Sequence, residues 1–377
     1  MPVTFSEFRF CSVAATPQTS WYFLTVKDID GFETVVEFTK GKQSLEVARG
    51  IQDIFDRIVS RSVRGENCLT GLLGIEKCID GRTTLAAAIS AVRTAISQLE
   101  SLQNSETLTK NLKGQFSESV PIYGNINRGL FNTDREPSDF VRAAEAAVNQ
   151  GFDMIKCAPF DEVHSNDSRE TILENARPGI DRIKAIRKAM GEKLVILIDC
   201  HARFEEHSAY LVSEELHRLN IGWFEEPLDP NDEPEKLSKV LKKVSMPVAG
   251  GESVYGELSF SSLLKNGSLN VIMPDIKYCG GVAEAVKSAR KALEIGGAYS
   301  LHSPSGPISL AASAHVTAAA GGTLPLEHAI DEVDWRCELV CPFERIEAGK
   351  IILEDSPGIG CTLNDDVLKY RGEQFNV

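Results

Sequence analysis

From residue 120 onward the chain alternates short apolar runs with amphipathic stretches. The runs are "VPIYGNI" (120–126), "FDMIKCA" (152–158), "KLVILID" (193–199), "IGWFEEP" (221–227), "PVAGGE" (247–252), "LNVIMPD" (269–275), "GAYSLH" (297–302) and "TLPLE" (323–327). Between them, "PSDFVRAAEAAVNQG" (137–151), "GIDRIKAIRKAMG" (179–191), "SAYLVSEELHRLN" (208–220) and "GGVAEAVKSARKALEIGG" (280–297) carry apolar residues at three- and four-residue spacing and read as helices. Strands alternating with helices of this length imply right-handed βαβ units and a parallel sheet, an α/β fold. Eight repeats fit a (β/α)8 barrel in size better than an open doubly wound sheet. No GxGxxG follows the first run, which weakens the dinucleotide-binding alternative.

The first part of the chain follows a different rule. "SWYFLTVKDIDGFETVVEFT" (20–39) places β-formers on both sides of Asp30-Gly31 and predicts a hairpin. "QSLEVARGIQDIFDRIVS" (43–60) and "RTTLAAAISAVRTAISQLESL" (82–102) predict two helices with Ser and Thr near their starts. The polar stretch "QNSETLTKNLKGQFSES" (103–119) interrupts the periodicity and marks a boundary. After the last run, "IILEDSPGIGCTLNDDVLKY" (351–370) holds no further βα unit and is expected to fold back on the first domain. The expected division is an α+β domain over 1–118, a barrel over 119–345 and a returning segment over 346–377.

Composition narrows the function classes. Apolar content of 42% and charged content of 25% are ordinary for a globular chain, and no apolar stretch reaches membrane-spanning length. The start, "MPVTFSEFRF", lacks the features of a secretory signal, so the expectation is a soluble cytoplasmic protein. The nine cysteines are scattered without a CxxC, suggesting neither a disulfide framework nor a zinc knot. A net charge of −14 repels nucleic acid and anionic membranes. An anionic substrate would need a local cation.

The chemistry lies where the polar residues fall. Asp199, Glu225, Glu252, Asp275, His302 and Glu327 each end an apolar run, at separations of 26, 27, 23, 27 and 25 residues, one βα unit apart. In a closed barrel this brings all six to the C-terminal rim, where barrel enzymes place their chemistry. Asp199, Glu225 and Glu252, from three consecutive strands, repel one another unless a cation sits among them. An all-oxygen set favours Mg2+ or Mn2+ over zinc; salt bridges to nearby Lys or Arg are the alternative. Asp275 and His302, from adjacent strands, read as a carboxylate–imidazole base. His201, in "DCHARF", falls two residues beyond Asp199 and by strand alternation faces the same side. Lys156, in "MIKCAPF", adds a positive charge near metal or substrate, and the other histidines receive no role.

Together "IDCHARF" (198–204), "WFEEPL" (223–228), "VAGGES" (248–253), "MPDIKYCGGV" (273–282) and "LHSPSGPISLAAS" (301–313) resemble the enolase superfamily, mandelate-racemase subgroup, and within it the acid-sugar dehydratases of galactonate-dehydratase type. The resemblance spans nearly the whole chain. It implies an α+β capping domain, completed by the C-terminal segment, over a modified (β/α)7β barrel. It implies Mg2+ on Asp199, Glu225 and Glu252, an Asp275–His302 dyad, and Glu327 as the carboxyl group that hydrogen-bonds the substrate carboxylate. "DCHARF" is similar to the dehydratase arrangement in which the histidine, here His201, is a second acid/base. One departure stands out: where many members carry Lys-x-Lys, this chain has Lys156-Cys157-Ala158, which moves second-face chemistry to His201 and leaves Lys156 to offset substrate charge.

The implied reaction abstracts the proton α to a carboxylate, giving an enediolate held by Mg2+, Lys156 and a protonated Glu327. Loss of the β-hydroxyl then yields a 2-keto-3-deoxy acid. Rival readings are an epimerase, racemase or cycloisomerase using the same enediolate, and an inactive sugar-acid-binding barrel. The partner expected is a small carboxylate, and the resemblance favours a homo-oligomer, a dimer or octamer. The loops around 12–21 and 60–80 are candidates to read the distal hydroxyls, and Asn125 and Asn127 read as turn or pocket residues. Glu226, beside Glu225, is expected to point away from the metal and accept hydrogen bonds beneath the rim.

Overall fold

The computed structural model describes residues 2–59, 62–63, 69, 79–164 and 167–377. Most of the 60–80 loop, with Cys68 and Cys78, lies outside the described residues. The chain opens with β1 (Val3–Ala14), β2 (Ser20–Asp28) and β3 (Glu33–Glu37), followed by α1 (Ser44–Ile58), β4 (Ser62–Val63), α2 (Thr84–Gln103) and α3 (Leu108–Asn111). The β2–β3 hairpin turns over Ile29–Phe32, as the Asp30-Gly31 pair predicts. Helix α1 buries Val47, Ile51, Ile54, Phe55 and Ile58, one face at helical spacing, while Thr83 caps α2 by accepting from the Ala86 N–H. Both helices pack on the sheet through Phe5, Leu24, Val36, Phe38, Val92 and Ile96.

The first strand was not legible in the sequence. A register shift between Phe5 and Glu7 in its pairing with β2 breaks the alternation that would have announced it.

The barrel follows: β5 (Ser119–Asn125), α4 (Pro137–Asn149), β6 (Met154–Cys157), α5 (Arg169–Met190), β7 (Val195–Asp199), α6 (Glu206–Arg218), β8 (Ile221–Glu225), α7 (Pro234–Leu241), β9 (Val248–Gly250), α8 (Glu257–Lys265), β10 (Val271–Ile272), α9 (Val282–Glu294), β11 (Ala298–Tyr299), α10 (Pro307–Ala320) and β12 (Leu326–Ala329). Neighbours from β5 to β11 pair in parallel, and β12 pairs with β5. The Glu327 N–H reaches the Leu301 carbonyl at 3.3 Å, joining the last two strands. Among the described residues eight strands alternate with seven helices, and the chain leaves β12 for a 3-10 turn at Arg336–Leu339. The architecture is therefore (β/α)7β, as the resemblance implies, and not the (β/α)8 ring that the spacing of the runs suggests alone. No helix among the described residues is long and apolar enough to cross a membrane.

The tail comprises β13 (Val340–Cys341), β14 (Ile346–Glu347), β15 (Lys350–Ile352), β16 (Thr362–Leu363), α11 (Asp365–Arg371) and β17 (Gly372–Phe375). It does not go straight to the first domain: β15 pairs antiparallel with β5 of the barrel, and only β17 joins β1 of the N-terminal sheet.

The two domains are tied at the start of α10. Glu37, at the end of β3, accepts the Gly306 N–H at 2.9 Å and the Ser309 N–H at 3.1 Å, filling the unpaired donors of that helix end. Gly306 is required there, because a Cβ would lie 2.8 Å from a Glu37 oxygen and 3.1 Å from the Trp21 ring. Helix α10 is buried nearly all round, so it lacks the periodicity by which sequence reading finds helices. Glu37→Ala leaves two buried N–H groups unpaired and should cost at least about 2 kcal/mol of stability in urea denaturation, with Glu37→Gln costing less.

Candidate active site

Strand alternation builds the site in two layers. Tyr123, Leu197, Trp223, Ala249, Val271 and Met273 form an apolar cluster inside the barrel, with Met154 packed against it. Two residues beyond Tyr123, Met154, Leu197 and Trp223 come Asn125, Lys156, Asp199 and Glu225, which face the same interior one layer nearer the C-terminal rim. Asp199 and Glu225 are direct register partners across β7 and β8.

Lys156 is the hub of this layer. Its side chain is fully buried, with Nζ 2.7 Å from Glu327 Oε1, 2.8 Å from Glu225 Oε1 and 3.6 Å from Asp199 Oδ2. Glu225 Oε2 accepts the Trp223 indole N–H at 3.0 Å. Glu327 accepts from Asn125 at 2.7 Å and from the Ser303 N–H at 3.0 Å, besides Lys156. One ammonium serves three carboxylates, and Glu225 carries the deficit: burial, with Asp199 and Glu327 adding to it and Lys156 opposing, pushes its carboxyl up to about 8.

His302 joins the other half of the rim. Its Nδ1 lies 2.9 Å from Asp275 Oδ2, and its Nε2 lies 2.8 Å from Glu252 and 3.9 Å from Glu327. Burial opposes the imidazolium, but Glu252, Glu327 and Asp275 outweigh it and raise the ring well above its usual value. Asp275 has a second cation that sequence reading passed over. Lys277 Nζ is 2.6 Å from Asp275 Oδ2 and 2.6 Å from Ser305 Oγ, and its backbone N–H donates to Asp275 Oδ1 at 2.8 Å. Burial works against the Asp275 charge, yet Lys277 and His302 hold the carboxyl down at about 2.

His201 reaches Asp199 by a route that alternation does not describe. Strand β7 ends at Asp199, and His201 and Ala202 turn into the left-handed region with φ of 47° and 54°. The turn brings Nε2 3.1 Å from Asp199 Oδ2, while the His201 N–H donates to Oδ1 at 3.0 Å. Asp199 raises the ring to about 9 although half of the side chain meets solvent. Glu226 likewise lies past its strand end, at φ 37°, and accepts the backbone N–H groups of Gly251 at 2.7 Å and Glu252 at 3.3 Å. Its donors are backbone groups of the turn after β9, with no lysine among them.

Two hollows flank this network. One of about 220 Å3 lies beside Asp199, Cys200 and His201, bordered by Phe131 and Ala158. The other, about 450 Å3, lies beside Glu252 and His302, between barrel loops and residues 18–22 and 39–42 of the N-terminal domain. That second hollow includes part of the 12–21 loop and Arg128, a residue the sequence reading left unassigned. Asn125 holds Glu327, and Asn127 accepts the Ala158 N–H at 2.7 Å, so both asparagines brace the rim.

Among the described residues no three His, Cys, Asp or Glu side chains are gathered as a ready metal centre. Asp199, Glu225 and Glu252 are instead turned to His201, Lys156 and His302. Their donor chemistry nonetheless fits a hard divalent cation: three carboxylates on adjacent strand ends, an all-oxygen set. Lys156→Met would leave Glu225 and Glu327 buried without their cation. Urea unfolding of the metal-free protein should show a loss of about 3–5 kcal/mol.

A family model described as enolase C-terminal domain-like matches residues 139–367. The D-gluconate/D-galactonate dehydratase of Picrophilus torridus is 29% identical over 270 residues, covering 70% of this chain and 67% of the relative. The D-xylonate dehydratase of Haloferax volcanii is 27% identical over 347 residues, covering 89% of this chain and 78% of its own. A crystal structure of an enolase-superfamily member from Salmonella Typhimurium superposes with a TM-score of 0.87 over 100% of both chains at 23% identity, a likeness of fold. With its (β/α)7β barrel and the family match over most of that barrel, this chain belongs to the enolase superfamily.

Proposed function

We propose that the protein is a Mg2+-dependent hydro-lyase that dehydrates a sugar acid to a 2-keto-3-deoxy acid. The observation that carries this reading is His302, fixed through Nδ1 on Asp275 and paired through Nε2 with Glu252 at the edge of one hollow, while His201 stands by the other hollow on Asp199. The relatives named above as dehydratases of gluconate, galactonate and xylonate supply the substrate class. Asp199, Glu225 and Glu252 would hold Mg2+, or Mn2+, which when bound supplies Lewis-acid stabilisation to the developing enediolate.

The chain's own residues account for the proton movements. Asp275 fixes the His302 tautomer, so that Nε2 is the atom that takes or returns a proton. His201 Nε2 is the second such atom, and one histidine removes the α-proton while the other protonates the departing β-hydroxyl. The stereochemistry of the substrate decides which histidine does which. Lys156 and Asn125 hold Glu327 in place, and with Lys156 these groups set the electrostatics of the carboxylate end.

The paired histidines also suit a 2-epimerase, which would return the proton instead of eliminating hydroxide. In D2O with Mg2+ and a panel of sugar acids, a 2-keto acid trapped by semicarbazide is the expected product. Deuterated, epimerised substrate without a keto acid would assign the epimerase. Asp275→Asn should lower kcat by about a hundredfold or more, the range of general acid–base catalysis, with Mg2+ binding measured by calorimetry retained. By the same measurement Glu225→Gln should weaken Mg2+ far more than Glu226→Gln, and equal losses would remove Glu225 from the ligand set.

A further inference from the structure

The hollow beside His302 has an end that the proposed reaction does not use. Arg128, in the loop after β5, lines it with Thr19, Lys42, Tyr278 and Glu332. A guanidinium offers five donors, and those of Arg128 are held only loosely. One reaches the Pro304 carbonyl at 3.4 Å, Glu332 Oε1 lies 3.9 Å away, and the cation sits 5.2 Å from the centre of the Phe131 ring. Glu332 Oε1 is already taken by the Thr19 hydroxyl at 2.7 Å. Its Oε2 is buried with no partner, an acceptor aimed at nothing in the protein.

From the N-terminal domain come two more cations. Lys42 is exposed on the wall of the hollow, and Lys40 Nζ stands 4.1 Å over the Tyr278 ring, whose hydroxyl donates to the Thr39 carbonyl at 2.8 Å. Of the charged groups lining this hollow, Glu252 is committed to His302 and Lys277 to Asp275, which leaves Glu332 against Arg128 and Lys42, with Lys40 nearby over Tyr278. In a chain of net charge −14 this is a local excess of positive charge, and such a pocket concentrates anions.

We infer that this end of the site binds a second carboxylate of the substrate, so that the sugar acid is a diacid, an aldarate, with Arg128 as its principal partner. Arg128 takes the far carboxylate through its planar fork, and Lys42 adds charge from the N-terminal domain. A monoacid would present a neutral hydroxymethyl group to these cations. The inference rests on the sugar-acid reading of the same site and narrows it.

The test compares aldarates, the matching aldonates and 6-phosphorylated aldonates on the Mg2+-loaded protein, by keto-acid formation and by calorimetric binding. The aldarate should be favoured at least about tenfold over the aldonate in kcat/KM and in affinity, the range of a hydrogen bond to a charged group. Arg128→Gln should bring that ratio close to one, and Arg128→Lys should restore part of it, with thermal melting confirming that both variants fold. Aldonates used as well as aldarates, or a preference for the phosphorylated acid, would overturn the second-carboxylate assignment while leaving the dehydratase intact. If no acid is turned over, the dehydratase reading falls, and the binding ratio and its response at Arg128 still decide this one.

Discussion

One buried ammonium holds the mouth of this barrel together. Lys156 touches Glu225 and Glu327 and stands near Asp199, three carboxylates from β8, β12 and β7 that would otherwise repel one another across the interior. Burying such charges is costly, and the cost is offset only where each has a partner and further hydrogen bonds. Trp223, Asn125 and the Ser303 N–H supply those bonds. The apolar layer beneath keeps water from screening them. One ammonium thus stands among three carboxylates, two of which, Asp199 and Glu225, belong to the set whose donor chemistry fits a hard divalent cation.

The second constraint runs between the domains. The 301–306 loop that carries His302 also carries Ser303, which donates to Glu327, and Ser305, whose hydroxyl takes Lys277 and whose carbonyl takes Arg336 at 2.6 Å. It then enters α10, whose first N–H groups end on Glu37 of the N-terminal sheet. The loop is therefore held from β12 through Glu327, from the turn after β10 through Lys277 and from the N-terminal domain at once. The dyad's loop is thus tied to the N-terminal domain through Glu37 rather than through a bond from that domain's described residues to His302 itself.

Strand ends were legible because a barrel repeats one unit, so a polar residue after each apolar run is visible at a regular separation. Asp199, Glu225, Glu252, Asp275, His302 and Glu327 all stand in one connected network at the rim, linked through Lys156 and His302. What the sequence hid was contact across the repeat. Lys277 was in view two residues after Asp275, but it sits in the turn that follows β10, where strand alternation gives no guide to its direction. Arg128 and Glu37 carried no signal: each acts on residues more than 170 positions away, and no local pattern marks such a pairing. Strand β1 and helix α10 were lost for opposite reasons, a bulge that broke one period and full burial that erased the other.

The departure from Lys-x-Lys acquires a structural meaning at Ala158. Its N–H is held by Asn127 and its carbonyl by Arg135 at 2.7 Å, so the backbone after β6 is fixed without any functional side chain. Ala158 instead borders the hollow of about 220 Å3 into which the His201 side of the rim opens. A lysine there would project from β6; the imidazole arrives from the neighbouring β7 through a left-handed turn that bends it back onto Asp199. The two histidines then differ in kind. His302 is only 11% exposed and clamped on both ring nitrogens, whereas His201 is 51% exposed and held on one. Small Ala158 and the left-handed turn at His201 thus act on one place: together they leave the hollow open beside Asp199 and set the imidazole at its edge.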